Sequence, residues 1–211
     1  MQLTKYGHSC VRFEDGDRSL VIDPGAFSDV PAALDGVGAV LITHEHFDHL
    51  DVDRVRAAAQ ADPRLRIWAP TSVATTLADL GEQVVAVGPG ESFEAGGFAI
   101  RTFGGQHALI HPVVPVVANV GYLVDGAAYH PGDSLVVPPV PVRTLLLPAA
   151  APWSRMAEVI DFAVSVRAPH AYGIHDAIVT DAWQAILGRN LEVVAAGFGV
   201  EYHPFTEAVT V

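Results

Sequence analysis

The segment Thr43-His44-Glu45-His46-Phe47-Asp48-His49-Leu50 sets three imidazoles and a carboxylate within six residues, directly after the apolar run Ala39-Val40-Leu41-Ile42. Such a run reads as a short strand of the buried kind. Polar, metal-competent side chains at the end of a buried strand need a partner to offset their desolvation, and a metal ion satisfies all four. From the chain's own His and Asp content, H-x-H-x-D-H arises by accident in about one such sequence in a thousand, so a solvated loop that happens to be His-rich is a poor explanation. The motif can hardly serve a core.

The rest of the composition narrows the class. With 211 residues, half of them hydrophobic and 17% charged, the chain has material for one globular domain made of two fused halves, and is not disordered. The formal charge of −12 is spread along the chain. That argues against a nucleic-acid backbone as partner, because such binding draws on clustered Lys and Arg. The apolar stretches are strand-length, well short of the roughly 18 residues that a membrane helix needs. The first residues alternate like a strand and show no secretory pattern. Cys10 is the one cysteine, which excludes an intramolecular disulfide and suits a reducing compartment. The expectation is a cytoplasmic protein with no membrane segment and a small-molecule substrate; the oligomeric state is left open.

Periodicity predicts strands over 2–6, 10–14, 19–22, 39–42 and 67–69, with helices from an Asp51 cap to 62 and from a Thr71 or Ser72 cap to Gly81. A second series of strands follows over 83–87, 92–94, 98–103, 116–124, 127–130 and 143–147, with Asp125-Gly126 as a hairpin turn. A helix over 153–166 faces inward with Met156, Ile160, Ala163 and Val164. A strand over 171–174 precedes a helix capped by Thr180 and carrying Trp183, Ile186 and Leu187, and strands over 191–196 and 208–211 close the chain. Strands then two helices, twice over, suggests an α/β protein of two face-to-face sheets with helices outside, in two pseudo-equivalent halves.

Further chemistry-bearing residues recur at predicted strand ends, where a scaffold presents functional groups. His107 follows the strand over 98–103 and the pair Gly104-Gly105. Asp133 sits in His130-Pro131-Gly132-Asp133-Ser134, His175 follows 171–174, and His8 lies between the first two strands. Residues two apart on an extended segment face the same way, so His44 and His46 can grip one ion. The chain must turn before the helix at Asp51, which swings Asp48 and His49 toward a neighbouring position. Imidazole and carboxylate donors without thiolate suit Zn²⁺, and also Mn²⁺ or Fe²⁺.

On His44-x-His46-x-Asp48-His49, the single mid-chain His107, Gly132-Asp133-Ser134 and Gly173-Ile174-His175, the chain resembles the metallo-β-lactamase superfamily of metal-dependent hydrolases, over nearly its whole length. Gly7-His8-Ser9 and the short chain resemble one branch, the ascorbate-6-phosphate lactonase-like proteins. The resemblance implies an αββα sandwich with mixed sheets. It puts one divalent ion on His44, His46 and His107 and a second on Asp48, His49 and His175, with Asp133 bridging. Two such ions hold a hydroxide between them. Asp48 or Asp133 would take the proton as water ionises, and His8 would orient substrate or donate to a leaving group. Asp23-Pro24-Gly25 resembles the family's outer Asp, which orients a ligating histidine.

The pattern also departs from the family. In many relatives a Ser or Thr follows near the middle histidine, whereas His107 leads into Ala108-Leu109-Ile110-His111, which leaves His111 as an alternative to His107; Ser134 stands where Thr is common. The second site lacks the cysteine typical of relatives that open β-lactams, so antibiotic hydrolysis is not expected. His130, His170 and His203 read as structural histidines. The Pro-rich loops over 111–117 and 136–142 are expected to wall the pocket, with Trp153 nearby. The leading expectation is a dinuclear hydrolase of a small ester, lactone or phosphoester. The alternatives are a phosphodiesterase or nuclease of the same fold, a di-iron redox protein, and a metal-binding protein without turnover.

Overall fold

Alternating burial along the strands sets the layers. In the computed structural model, which describes residues 1–211, β1 (Gln2–Lys5), β2 (Val11–Asp15) and β3 (Arg18–Ile22) form an antiparallel meander. The strands β4 (Ala39–Leu41), β5 (Arg66–Ala69) and β6 (Val84–Ala86) extend it in parallel. Parallel neighbours need crossovers, and α1 (Val30–Leu34), α2 (Val52–Ala61) and α3 (Thr71–Thr76) lie in them.

The second sheet repeats this plan. Strands β7 (Ser92–Ala95), β8 (Phe98–Gly104), β9 (Val120–Val124) and β10 (Ala128–His130) run antiparallel in turn. Strands β11 (Thr144–Pro148), β12 (His170–Ile174) and β13 (Glu201–His203) then continue in parallel, with α4 (Met156–Val166) and α5 (Asp181–Ala195) as crossovers. Strand β14 (Val209–Thr210) returns to β1, giving two seven-stranded sheets. This is the αββα sandwich expected from the sequence.

Three apolar layers hold it together. Leu20, Ile22, Ala39 and Leu41 from the first sheet meet Phe98, Ile100, Tyr122, Val124 and Leu146 from the second in the middle layer. The alternate residues Val21, Val40, Ile42 and Ile67 pack outward against Ala33, Val55, Ala59, Val73 and Leu77 of the first three crossovers. Leu145, Leu147 and Ala171 pack outward against Val159, Phe162, Leu187 and Leu191 of α4 and α5. Each buried Val, Leu, Ile or Phe among these contributes roughly 1.5–3 kcal/mol. No helix is long and apolar enough to cross a membrane.

Several expectations are corrected. Residues 191–196 are not a strand: α5 runs on to Ala195, with Leu187, Leu191 and Ala195 buried at helical spacing. Ile186, expected inward, is exposed. Helix α4 starts at Met156, not 153, and buries Val159, Phe162 and Ala163, so only Ala163 of the expected face is fully enclosed. The helix over 71–81 is α3 followed by a 3₁₀ turn, Ala78–Gln83, and Pro70 takes its N-cap position. Strand β9 begins at Val120; before it, the Val117 and Asn119 carbonyls accept from the amides of His107 and Gly105. The loop over 136–142 does not wall the site. Residues 137–142 line a separate hollow with Ser165, Val166 and Arg167 at the far end of α4.

Candidate metal centre

Strand β4 carries the chain directly to the motif. Beyond Leu41, the Thr43 amide donates to Asp23 Oδ1 at 2.8 Å. The amides of His49 and Leu50 both donate to the His46 carbonyl, at 3.0 and 2.9 Å, which makes the tight turn that brings Asp48 and His49 round. Asp51 then caps α2 by accepting from the Arg54 amide at 3.0 Å. Segment 23–26 serves as a template: Asp51 donates to the Pro24 carbonyl, Ala26 donates to that of Phe47, and Gly25 lies so close that a Cβ would sit 1.9 Å from the Asp48 carbonyl oxygen.

The second sheet supplies the facing groups. His107 follows β8, Asp133 follows β10 and His175 follows β12. The Ala108 amide donates to the Asp133 carbonyl at 2.8 Å, joining two of these loops. His175 and His8 both adopt left-handed backbone, φ 59 and 47, and the His175 amide donates to the His8 carbonyl at 3.0 Å. Such conformations cost roughly 1–3 kcal/mol each in a non-glycine residue and persist where the surroundings enforce them.

The side chains converge in two adjoining groups. His44, His46 and His107 form one, and His8, Asp48, His49 and His175 the other, with donor atoms within 4.8 Å of one another in each. Asp133 lies between: its Oδ1 is 3.1 Å from His49 Nε2, and its Oδ2 is 3.2 Å from both His107 Nε2 and His175 Nε2. The expected ligands His44, His46, Asp48, His49, His107, Asp133 and His175 therefore meet, with His8 beside them. His111 does not join them; it is exposed, and its Nδ1 accepts from the Val113 amide. His107 is buried.

The backbone and outer side chains decide which ring nitrogen is free. His107 Nδ1 donates to the Ala108 carbonyl and His175 Nδ1 to that of Ala150, both at 2.6 Å. His49 Nδ1 donates to Asp23 Oδ2 at 2.7 Å. The Thr43 hydroxyl gives its proton to Asp23 at 2.7 Å, so His44 Nδ1 must be the donor in its 2.9 Å contact with Thr43 Oγ1. In His44, His107 and His175 the protonated nitrogen faces the protein and Nε2 presents a lone pair inward; in His49 the bond to Asp23 likewise leaves Nε2 to face the centre.

These inward atoms have no hydrogen-bond partner. Nε2 of His44, His49, His107 and His175, together with Asp133 Oδ1, are buried and unsatisfied. Five orphans in one place would each cost about 1–3 kcal/mol. Two donors on one tetrahedral ion at about 2.0–2.1 Å stand roughly 3.3 Å apart, which matches the 3.1–3.2 Å separations around Asp133. The donor set fits divalent cations.

Electrostatics agree. Burial pushes His44 well below the ordinary histidine range and lowers His46 as well, so both rings are neutral and ready to ligate at pH 7. Burial alone would also lower His49, but the carboxylates of Asp133 and Asp23 overcome it and hold that ring well above its usual value. Burial opposes ionisation of Asp133, yet the neighbouring His49 holds its carboxyl well below the usual range. The carboxylate field at this spot therefore draws in positive charge, and the His49 imidazolium provides it where no metal ion does.

His8 has a different place. Its side chain has no exposed surface, its Nδ1 accepts from the Ala177 amide at 3.3 Å, and its Nε2 therefore donates to Asp48 Oδ2 at 3.3 Å. His130 is structural, donating to the Ser9 carbonyl and accepting from the Gly132 amide.

Sequence reasoning missed three supports. Thr43 links Asp23 to His44. Asn119, fully buried, accepts from the Asp133 amide at 3.0 Å and donates to the Pro131 carbonyl at 2.8 Å. Trp153, expected as a wall, donates its indole N–H to Asp133 Oδ2 at 2.8 Å. An asparagine inside the apolar stretch over 116–124 was the one available signal for its role.

Known proteins share this arrangement of chain. A protein of Mycobacterium tuberculosis, Rv0786c, is 40% identical over 206 residues, covering 95% of this chain and 96% of its own. A UPF0173 metal-dependent hydrolase of Xanthobacter autotrophicus is 26% identical across 94% of this chain and 96% of its own. Among solved structures, Igni18, a metallo hydrolase from Ignicoccus hospitalis, superposes with a TM-score of 0.75 at 20% identity, covering 100% of this chain and 97% of its own, a likeness of fold. Residues 2–175 match the model of the beta-lactamase superfamily domain, and with two seven-stranded sheets and the His/Asp cluster at one rim, the chain belongs to that superfamily.

Proposed function

We propose that the chain is a hydrolase that holds two divalent ions, zinc first among Zn²⁺, Mn²⁺ and Fe²⁺, and cleaves a small ester, lactone or phosphoester. The observation that carries this reading is the set of five buried, unpartnered donor atoms aimed at one another across the two sheets. Relatives named as metal-dependent hydrolases support the reaction class. His44, His46 and His107 would hold one ion and Asp48, His49 and His175 the other, with the Asp133 carboxylate shared between them. Such a pair of ions, when bound, supplies an activated water at neutral pH and polarises the scissile group.

The chain's own residues do the rest. Asp48, partly open to the site, takes the proton released as water is consumed; burial opposes its ionisation, but the contact from His8 keeps it ionised below the usual carboxylate range. His8 positions that carboxylate, since substrate has no route to its enclosed ring. Trp153 and Asn119 fix Asp133. Phe27 and Phe47 pack edge to face at 5.3 Å beside His8, and these two rings with Leu109 and Ile110 offer exposed apolar surface at the rim, which suits a small substrate with apolar parts.

Metal analysis of protein purified without added metal tests the reading: about two ions per chain are expected, with a loss in His46→Ala. A metal-free chain, or unchanged content in that variant, refutes it. A screen of lactones, phosphodiesters and thioesters with Zn²⁺ or Mn²⁺ supplied separately then identifies the substrate class.

A further inference from the structure

At the opposite end of β12 from His175, a second set of imidazoles and a carboxylate comes together. Strands β12 and β13 are parallel neighbours in which His170 stands opposite Glu201 and Tyr172 opposite His203. Residues two apart on a strand share a face, so His170, Glu201 and His203 lie on the same side of the sheet. Glu201 Oε2 is 3.8 Å from His170 Nδ1 and 3.8 Å from His203 Nε2, and the three residues' donor atoms all lie within 4.8 Å of one another. The His203 ring is stacked on Tyr172, centroids 5.0 Å apart and planes within 24°, which restricts its orientation. Its Nε2 is screened from solvent and has no hydrogen-bond partner.

We infer that this rim of β12 and β13 is a separate site for one transition-metal cation of the zinc class, held by His170, Glu201 and His203. Both histidines read as structural in the sequence; what revises that is the cross-strand register, which sequence does not show. Two imidazoles and a carboxylate are a donor set that Zn²⁺, Ni²⁺ and Cu²⁺ favour. A cation here satisfies the screened Nε2 of His203 and neutralises Glu201, whose ion-pair partners are these two histidines. The two contacts to Glu201 need to close by about half an ångström, and the two imidazole donors by at most about 1.5 Å, to reach the roughly 3.3 Å spacing of ligands on one ion. His170 and Glu201 are exposed and free to make that adjustment, with water filling the remaining positions. Five residues of β12, at about 3.3 Å each, separate this site from the catalytic centre by about 16 Å. The ion ties down β13, the edge strand of its sheet.

The inference does not depend on the proposed hydrolase activity. Chelator-treated full-length protein is titrated with ZnCl₂ by calorimetry, and thermal midpoints are recorded with and without the ion. Wild type is expected to bind one ion more than the His170→Ala/His203→Ala variant. Glu201→Gln should weaken that step alone by roughly 10-fold or more, as the loss of a direct ligand costs at least what an outer partner does. The zinc-induced rise in midpoint should shrink in both. His46→Ala should lose central binding and keep the rim step, so the two sites fail separately. Equal stoichiometry and affinity in wild type and both rim variants overturns the inference. Should the double variant prove less stable even in chelator, Glu201→Gln decides, and an unchanged affinity there overturns it equally.

Discussion

Asp23 and His49 form a fully buried pair, with His49 Nδ1 donating to Asp23 Oδ2 at 2.7 Å. The same carboxylate accepts from the Thr43 amide and the Thr43 hydroxyl. One side chain thus holds the backbone at the start of the metal motif and a ring near its end, and through Thr43 it also sets the tautomer of His44.

Asp23→Asn keeps the shape of that side chain and exchanges an acceptor for a donor, so either Thr43 or His49 loses its partner. Outer partners of ligating histidines are worth roughly 10-fold to 100-fold in metal affinity. A loss of that size is expected at the Asp48/His49/His175 position, with a smaller one at His44/His46/His107. Competition against a chelator of known affinity measures both steps; unchanged binding of both ions would show that His49 is held by packing alone.

Gly25→Ala tests the template beneath the motif loop. A Cβ would meet the Asp48 carbonyl oxygen at 1.9 Å and the His49 nitrogen at 2.5 Å, both backbone atoms that cannot swing aside. Overpacking of this kind costs about 1–3 kcal/mol or more, and the displaced loop carries two ligands. The variant should melt lower and retain less metal. Gly16→Ala is the control: it meets open space at φ +61, so it should lose roughly 1–2 kcal/mol to backbone strain and keep its metal.

How much of this the sequence disclosed depends on whether the information was local. The motif follows a three-residue apolar strand, and its cap at Asp51 and the turn Asp125-Gly126 are short-range chemistry, so they were legible. Residues 191–196 were misread because Leu191, Val193 and Val194 look like a strand, while the register with Leu187 and Ala195 emerges only once α5 has a sheet to pack on. Strand β13 is polar and half exposed at a sheet edge, so its composition carries no strand signal. Helix α1 is only five residues long, with Pro31 in its first turn. Among the site residues, His107 and His175 were found through their places after strands. Trp153 was not recognised as a hydrogen-bond donor, because its partner lies 20 residues away across a loop.

Trp153→Phe removes the indole donor to Asp133 Oδ2 and keeps an apolar ring. A hydrogen bond to a charged group is worth about 1.5–3 kcal/mol. Because Asp133 is central to both ligand groups, the effect should register as weaker metal binding, by about 10-fold or more, as well as lower stability. Stability loss with unaltered metal affinity, measured by the same chelator competition, would reduce Trp153 to a wall of the cavity.

His130 contributes one component of the pH dependence of the metal-free chain, separable by substitution from that of the ligand histidines. Burial lowers its pKa below the ordinary 6.5, so the ring stays neutral in the folded chain while the unfolded chain takes up a proton below that value. At this residue the unfolded state then binds more protons, and its contribution to stability falls as pH drops through about 6.5 until the folded-state pKa is reached. One proton corresponds to at most about 1.4 kcal/mol per pH unit. His130→Asn retains an acceptor for the Gly132 amide and loses the bond to Ser9. The variant is therefore expected to be less stable at neutral pH but to have a shallower slope, by up to one proton, just below about pH 6.5. Urea unfolding of chelator-treated wild type and variant, from about pH 7.5 to 5.5, measures the difference. Parallel slopes would mean that His130 carries the same proton in both states.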